Sequence, residues 1–283
     1  MILKNKISVI LGATGVIGEA IVKEYAKEGS GLIIVGRNRK KLNEIRKKYK
    51  NSIIQTLVAD VSSLRDLKKL KTNLSKKVKN IDVVVIATGI YGEISNFMES
   101  DPQKWARAIE VNLLGTVWSI HYLLPFLKKS KRGKIIVFAG GGEGPLENFS
   151  SYVSSKGGIL RFVETVASEF KKMKIEINAI SPGLVNSGFV RDIIKVGPKK
   201  VGLKKYKEAL RQIKNGEGVV SPESGAELVV FLGSRKSDGL SGRYFSAVWD
   251  NWREIPKHKD IINKSDIYTL RRIKPKDRGY DWK

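Results

Sequence analysis

Seven short apolar, β-branched runs punctuate this chain, and between them apolar residues recur at the intervals of a helix. The runs are Ile7–Leu11, Leu32–Val35, Ile53–Ala59, Asp82–Ala87, Lys134–Ala139, Ile175–Ile180 and Arg243–Ala247. The helix-like stretches lie near residues 16–28, 39–49, 63–78, 102–127, 152–171 and 222–232. Short Val- and Ile-rich runs suit strands buried on both faces. Alternation with helices and short connections leaves few topologies, because parallel neighbours need a crossover and crossovers are helices. The expected fold is α/β, a doubly wound parallel sheet of about seven strands with helices on both faces.

No internal repeat, low-complexity linker or abrupt change of composition interrupts this order. We therefore expect one domain over residues 1–247. An insertion at 187–218 lies on its substrate side, and an extension at 248–283 packs on the same domain or on a neighbouring subunit. The charge is high: 53 Lys plus Arg stand against 28 Asp plus Glu, giving +25 with neutral histidines. Such a balance raises nucleic acid as a partner. The lysines, however, are scattered along helix faces such as "RNRKKLNEIRKKYK" and "LRDLKKLKTNLSKKVK". We expect solvated faces and no nucleic-acid partner. The chain has no cysteine, so disulfides and thiolate chemistry are excluded, and its only histidines, His121 and His258, are far apart. No metal site is expected. No apolar run reaches the roughly 18 residues that cross a bilayer, and we expect a cytoplasmic protein with no membrane partner.

The first strand leads into "VILGATGVIGEA", with glycines at Gly12, Gly15 and Gly18. Missing side chains at a strand-to-helix turn let backbone N–H groups approach a pyrophosphate at the positive end of a helix. This points to a Rossmann-type fold and a dinucleotide held by Gly12, Thr14, Gly15, Val16, Ile17 and Gly18. After the second strand stand Arg37, Asn38 and Arg39, with no carboxylate to meet a ribose hydroxyl. A guanidinium pairs with a 2′-phosphate, which a carboxylate would repel. The expected cofactor is NADP, with NAD as the alternative. Asp60 and Val61, in "VADVS", follow the third strand where a carboxylate reaches the adenine amino group.

"SSYVSSKGG" then places Tyr152 and Lys156 four residues apart, one turn of a helix. With these pieces the chain resembles the short-chain dehydrogenase/reductase family over about residues 5–247. The resemblance rests on an ordered set: the glycine turn, "ADVS", "ATG" at Ala87, Thr88 and Gly89, "VNLLG" around Asn112, Tyr152 with Lys156, and "NAISPG". It implies an NADP(H)-dependent carbonyl reductase or alcohol dehydrogenase. Tyr152 would be the general acid/base and Lys156 would lower its pKa and bind the nicotinamide ribose. Asn112 would hold a relay water. Pro182, Gly183, Val185 and Ser187 would meet the nicotinamide. The resemblance also implies a homodimer or homotetramer, built through the helices carrying Asn112 and Tyr152.

One member of the family pattern is missing. The serine usual 12 or 13 residues before the tyrosine is replaced by Ala139 and Gly140, followed by Gly141 and Gly142. Either the glycine backbone, helped by Ser150 or Ser151, holds the substrate oxygen, or the protein is a non-catalytic or weakly active dinucleotide-binding regulator. Ala139, Gly140, Gly141, Gly142 and Ser151 are thus the candidate substrate contacts. The small-molecule substrate is a carbonyl or alcohol. Trp249, Trp252, Tyr268, Trp282 and the pair Arg271–Arg272 in the extension suggest a nucleotide-linked or phosphorylated keto-sugar, since aromatic faces suit sugars and arginines suit phosphates.

Overall fold

The computed structural model describes residues 1–282. Its strands are β1 (Ile7–Leu11), β2 (Gly31–Gly36), β3 (Ile53–Val58), β4 (Val83–Ile86), β5 (Gly133–Phe138), β6 (Ile175–Ser181) and β7 (Arg243–Ser246). All pair in parallel in one sheet of order β3-β2-β1-β4-β5-β6-β7. The strand order reverses between β1 and β4, so a crevice opens beyond the carboxyl ends of those two strands.

Between the strands run α1 (Val16–Lys27), α2 (Arg39–Lys48), α3 (Leu64–Ser75), α4 (Pro102–Ala108), α5 (Gly115–Leu127) and α6 (Ser150–Phe170). Local chemistry sets their starts. Asn38 caps α2 by accepting from Lys41 N, Ser63 caps α3 by accepting from Asp66 N, and Asp101 caps α4 with proline next in line. The buried stripe of α3 is Leu67, Leu70 and Leu74, the spacing of one helical face. That stripe, with α5 and α6, covers one face of the sheet. Helices α1 and α2 cover the other, together with the later helix at Pro222–Gly233. The stretch expected as one helix at 102–127 is continuous, but a wider π turn at Ile109–Leu114 joins α4 to α5 and carries Asn112.

The insertion after β6, for which the sequence sets no element, folds into α7 (Gly188–Val196), α8 (Pro198–Val201) and α9 (Leu203–Asn215). Val190, Ile193, Val201 and Ala209 form a small core there with Ile94 and Phe149. Next come α10 (Pro222–Gly233), whose start Ser221 caps, and α11 (Lys259–Lys264) in the extension. The extension runs along the edge of the sheet. Tyr244 N of β7 donates to Tyr268 O at 2.9 Å. Arg243 Nη1 donates to Ser265 O and Ile267 O at 3.0 and 2.8 Å. Trp252 is buried against Phe231, their rings 5.5 Å apart.

The glycine turn is fixed by backbone contact as well as by conformation. Gly12 has φ +85°, and a Cβ there would stand 2.7 Å from Ala87 O. A Cβ at Gly18 would stand 2.1 Å from Gly12 O. Gly18→Ala therefore forces α1 away from β1 and should destabilise the fold by about 1–3 kcal/mol, the usual cost of overpacking. An unchanged denaturant midpoint in the variant would contradict this reading of the turn.

Candidate active site

Helix α1 starts at Gly15 without a side-chain cap, so the N–H groups of its first turn are open to an anion. In front of it lies a cavity of about 200 Å³ lined by Gly12, Thr14, Gly15, Arg37, Asp60, Val61, Ala87, Thr88 and Gly89, among others. Arg37 Nη1 lies 3.8 Å from Asp60 Oδ2 and Arg107 Nη2 lies 3.9 Å from it. Burial alone would raise the Asp60 pKa. The hydroxyl and backbone N–H of Ser62, then the two arginines, outweigh it and hold the carboxyl below its ordinary value. Arg107, on α4, belongs to no motif of the sequence.

A second cavity, of about 440 Å³, shares the Ala87–Gly89 wall. Ile17, Tyr152, Lys156, Pro182, Gly183, Val185 and Ser187 line it, as do Gly140 and Gly141. The Thr88 hydroxyl stands at the shared wall, buried and without a hydrogen-bond partner among the described residues. Two cavities on either side of one wall, an uncapped helix start and an unpaired hydroxyl at that wall fit an extended dinucleotide. Four expected cofactor contacts fall outside both cavities. Val16 is exposed, Asn38 spends its side chain on the α2 cap, and Arg39 is exposed on the first turn of α2. Gly18 also faces away, serving the turn rather than the cavity.

Tyr152 and Lys156 share one face of α6. Tyr152 Oη donates to Gly140 O at 2.9 Å, and Lys156 Nζ donates to Phe138 O at 2.7 Å. The ammonium lies 5.7 Å from the centre of the tyrosine ring. Burial pushes the phenol well above its ordinary pKa, and Tyr91, Tyr244 and Glu143 add to the rise. Burial also brings Lys156 down to about 8. The lowered tyrosine pKa expected from the lysine is therefore not seen here: desolvation dominates, and the ammonium is turned to a backbone carbonyl. In this arrangement Tyr152 is a proton holder.

Asn112 is fully buried. Its Oδ1 accepts from Ile90 N, and its Nδ2 donates to Ile90 O and Ser155 Oγ, each within 3 Å. The side chain thus braces the loop after β4 against α6, and any relay water would have to meet its backbone. The glycine run is largely spent as well. Gly142 N donates to Ala139 O and Gly141 N to Glu143 Oε2, whereas Gly140 N has no acceptor among the described residues. Three expected substrate contacts do not reach the cavity. Ala139 is buried, Gly142 packs on the α6 backbone with no room for a Cβ, and Ser151 donates to Tyr91 O and Glu93 O. Ser150 accepts from Trp105 Nε1. The free donor near the tyrosine is Gly140 N–H; the Ser181 hydroxyl lines the cavity 2.9 Å from where a Cβ at Gly140 would stand, but it is paired with the Tyr244 hydroxyl.

The walls hold residues that no motif announces. Tyr91 meets the rings of Tyr152, Phe149 and Phe189 edge-on, with centres 4.9, 4.9 and 4.5 Å apart. Phe189, Lys205, Val220, Val248 and Trp249 complete the lining, with Trp249 85% exposed at its mouth. Of the extension's aromatics and arginines only Trp249 lines the cavity. Trp252 and Tyr268 pack inward, and Arg271 pairs with Asp266 and Asp277.

The sheet order and glycine turn define the class, a doubly wound Rossmann-type protein. Residues 6–196 match the family model described as short chain dehydrogenase. The chain belongs to the short-chain dehydrogenase/reductase family and is an oxidoreductase of it. An uncharacterized oxidoreductase of Staphylococcus epidermidis is 30% identical over 185 residues, covering 65% of this chain and 80% of that one. A short chain dehydrogenase of Monascus ruber is 28% identical over 282 residues, covering 96% of this chain and 88% of that one. Among solved structures, levodione reductase superposes with a TM-score of 0.77 at 21% identity, over 86% of this chain and 96% of that chain. A Shigella flexneri chain solved with NADP superposes with a TM-score of 0.74 at 22% identity, over 87% of this chain and 98% of that one.

Proposed function

We propose that this protein is an NADP(H)-dependent carbonyl reductase, or alcohol dehydrogenase in the reverse direction, acting on a small keto or hydroxyl compound. The observation that carries this is the pair Tyr152 and Lys156, facing a cavity that shares its Ala87–Gly89 wall with the glycine-turn cavity. A dihydronicotinamide bound there supplies the hydride. Thr88, Lys156, Pro182, Gly183, Val185 and Ser187 hold the cofactor's nicotinamide half, and the open turn of α1 holds its phosphates. Tyr152 Oη gives its proton to the reduced carbonyl oxygen, its high pKa keeping that proton in place until an alkoxide develops. Gly140 N–H takes the place of the missing serine as donor to that oxygen, and the Ser181 hydroxyl joins it by turning from its Tyr244 partner. Cavity walls made of aromatic and aliphatic side chains favour an apolar keto body over a sugar. A cytoplasmic homodimer or homotetramer is part of this reading. The test is NADPH oxidation, followed by absorbance, across simple ketones and keto-sugar nucleotides. Turnover of none of them would favour the second reading, a weakly active regulator, which rests on Ala139 and on the bond from Tyr152 to Gly140 O.

NADP preference rests on Arg37, which lines the glycine-turn cavity with no competing carboxylate from β2. Arg37→Asp is expected to weaken NADPH binding by about tenfold or more while sparing NADH, because a charged hydrogen bond becomes a repulsion. Calorimetry decides the point. Equal wild-type affinities for the two cofactors would overturn it.

A further inference from the structure

The cavity beside Tyr152 is apolar along its walls, with Tyr91, Leu146, Phe189, Val190, Val220 and Trp249 contributing, and only two charged residues line it. One, Lys156, is buried and bonded to Phe138 O. The other, Lys205, extends from α9 of the insertion and is about one-third exposed. No carboxylate lines the cavity among the described residues. The Lys205 ammonium meets only Glu208, at 3.4 Å on the same helix face, and such a partly exposed pair contributes little and yields easily. The cofactor's phosphates belong at the α1 turn, in the other cavity, so Lys205 is not needed for them.

Resting on the reductase reading above, we infer that the substrate is an apolar carbonyl compound bearing one anionic group, which Lys205 receives where the cavity meets solvent. The largely apolar walls offer few partners for the several hydroxyls of a sugar, and burying such groups unpaired is costly. A hydrocarbon body fills the same walls favourably. A single cation away from the reacting carbonyl then sets which end of the substrate enters first. The overall charge of +25 raises the local concentration of anions and favours their arrival.

The experiment uses the NADPH-loaded protein and a series of straight-chain oxo-carboxylic acids, their methyl esters, and oxo-alkyl phosphates. Binding is read by calorimetry with NADP in place, and turnover by NADPH absorbance. Each acid should bind and turn over about 10- to 100-fold better than its ester, expressed in KM more than in kcat. Lys205→Gln should bring the acid-to-ester ratio close to one, while Lys207→Gln, on the same helix but outside the cavity, leaves the ratio as in the wild type. A preference for the phosphate over the acid names phosphate as the anion and supports the inference equally. Acids and esters that bind alike, or a ratio untouched by Lys205→Gln, overturn it. If acids bind with the expected preference but nothing is reduced, the anion site stands and the reductase reading falls.

Discussion

Tyr152→Phe is expected to lower turnover of an accepted ketone by about 10² or more while NADPH binding stays within a few-fold of wild type. The substitution removes one oxygen from a ring whose remaining contacts, edge-on to Tyr91 and against Gly141, are unaffected. It also frees the Gly140 carbonyl from its donor. Because that carbonyl borders the open cavity, water satisfies it at little cost in stability. Stopped-flow hydride transfer and cofactor titration on the same preparation separate the two effects. A variant that turns over at the wild-type rate would show that the proton comes from another group and that Tyr152 is a wall residue.

Lys156→Met should abolish efficient turnover and yet make the protein more stable at neutral pH. In the unfolded chain this lysine titrates near 10.5, and in the folded chain near 8. Below about pH 8 both states carry the charge, and the folded state bears the full cost of burying it, about 3 kcal/mol from the difference between the two values. Between pH 8 and 10.5 the folded state releases its proton first, so wild-type stability rises with pH across that window. Methionine removes the charge but leaves Phe138 O without its donor, a loss of about 1–2 kcal/mol. The net gain at pH 7 is expected to be about 1–2 kcal/mol, shrinking and then reversing as the pH approaches 10.5. Urea midpoints at several pH values test this. A variant less stable than wild type at pH 7, or a difference independent of pH, would mean that the lysine is not held as an unwelcome charge. The expected pattern is that of a functional group retained at the expense of stability.

The strands and the glycine turn were legible because both are local. A Val- and Ile-rich run between turns has few other fates, and each of the seven strands begins and ends within a residue of its expected bounds. Tyr152 with Lys156 was legible by spacing on one helix. What the sequence hid depends on what lies across the fold. Ser151 looks available beside the tyrosine, but the backbone oxygens of Tyr91 and Glu93 consume it. Asn112 reads as a relay residue until both its amide groups are found on Ile90 and Ser155. Tyr91 and Trp249 belong to no motif and become wall residues only when loops from opposite ends of the chain converge. The direction of the Tyr152 pKa could not be read from a neighbouring lysine alone, because burial drives the shift and the lysine is turned to the Phe138 carbonyl. Lys205 was one lysine among many, and only the cavity distinguishes it from those on solvated faces.

The strap formed by residues 265–270 bears on how copies of this chain can associate. An outermost strand with free N–H and C=O groups invites another chain to add itself as the next strand. Here the chain's own extension occupies that position, taking the Tyr244 N–H onto Tyr268 O and drawing the Arg243 guanidinium onto two further carbonyls. Growth of the sheet across β7 is thereby closed off from within one molecule. Copies cannot join across this border without displacing the strap, and a protein whose strap has been cut away would gain an adhesive border that the intact chain keeps covered.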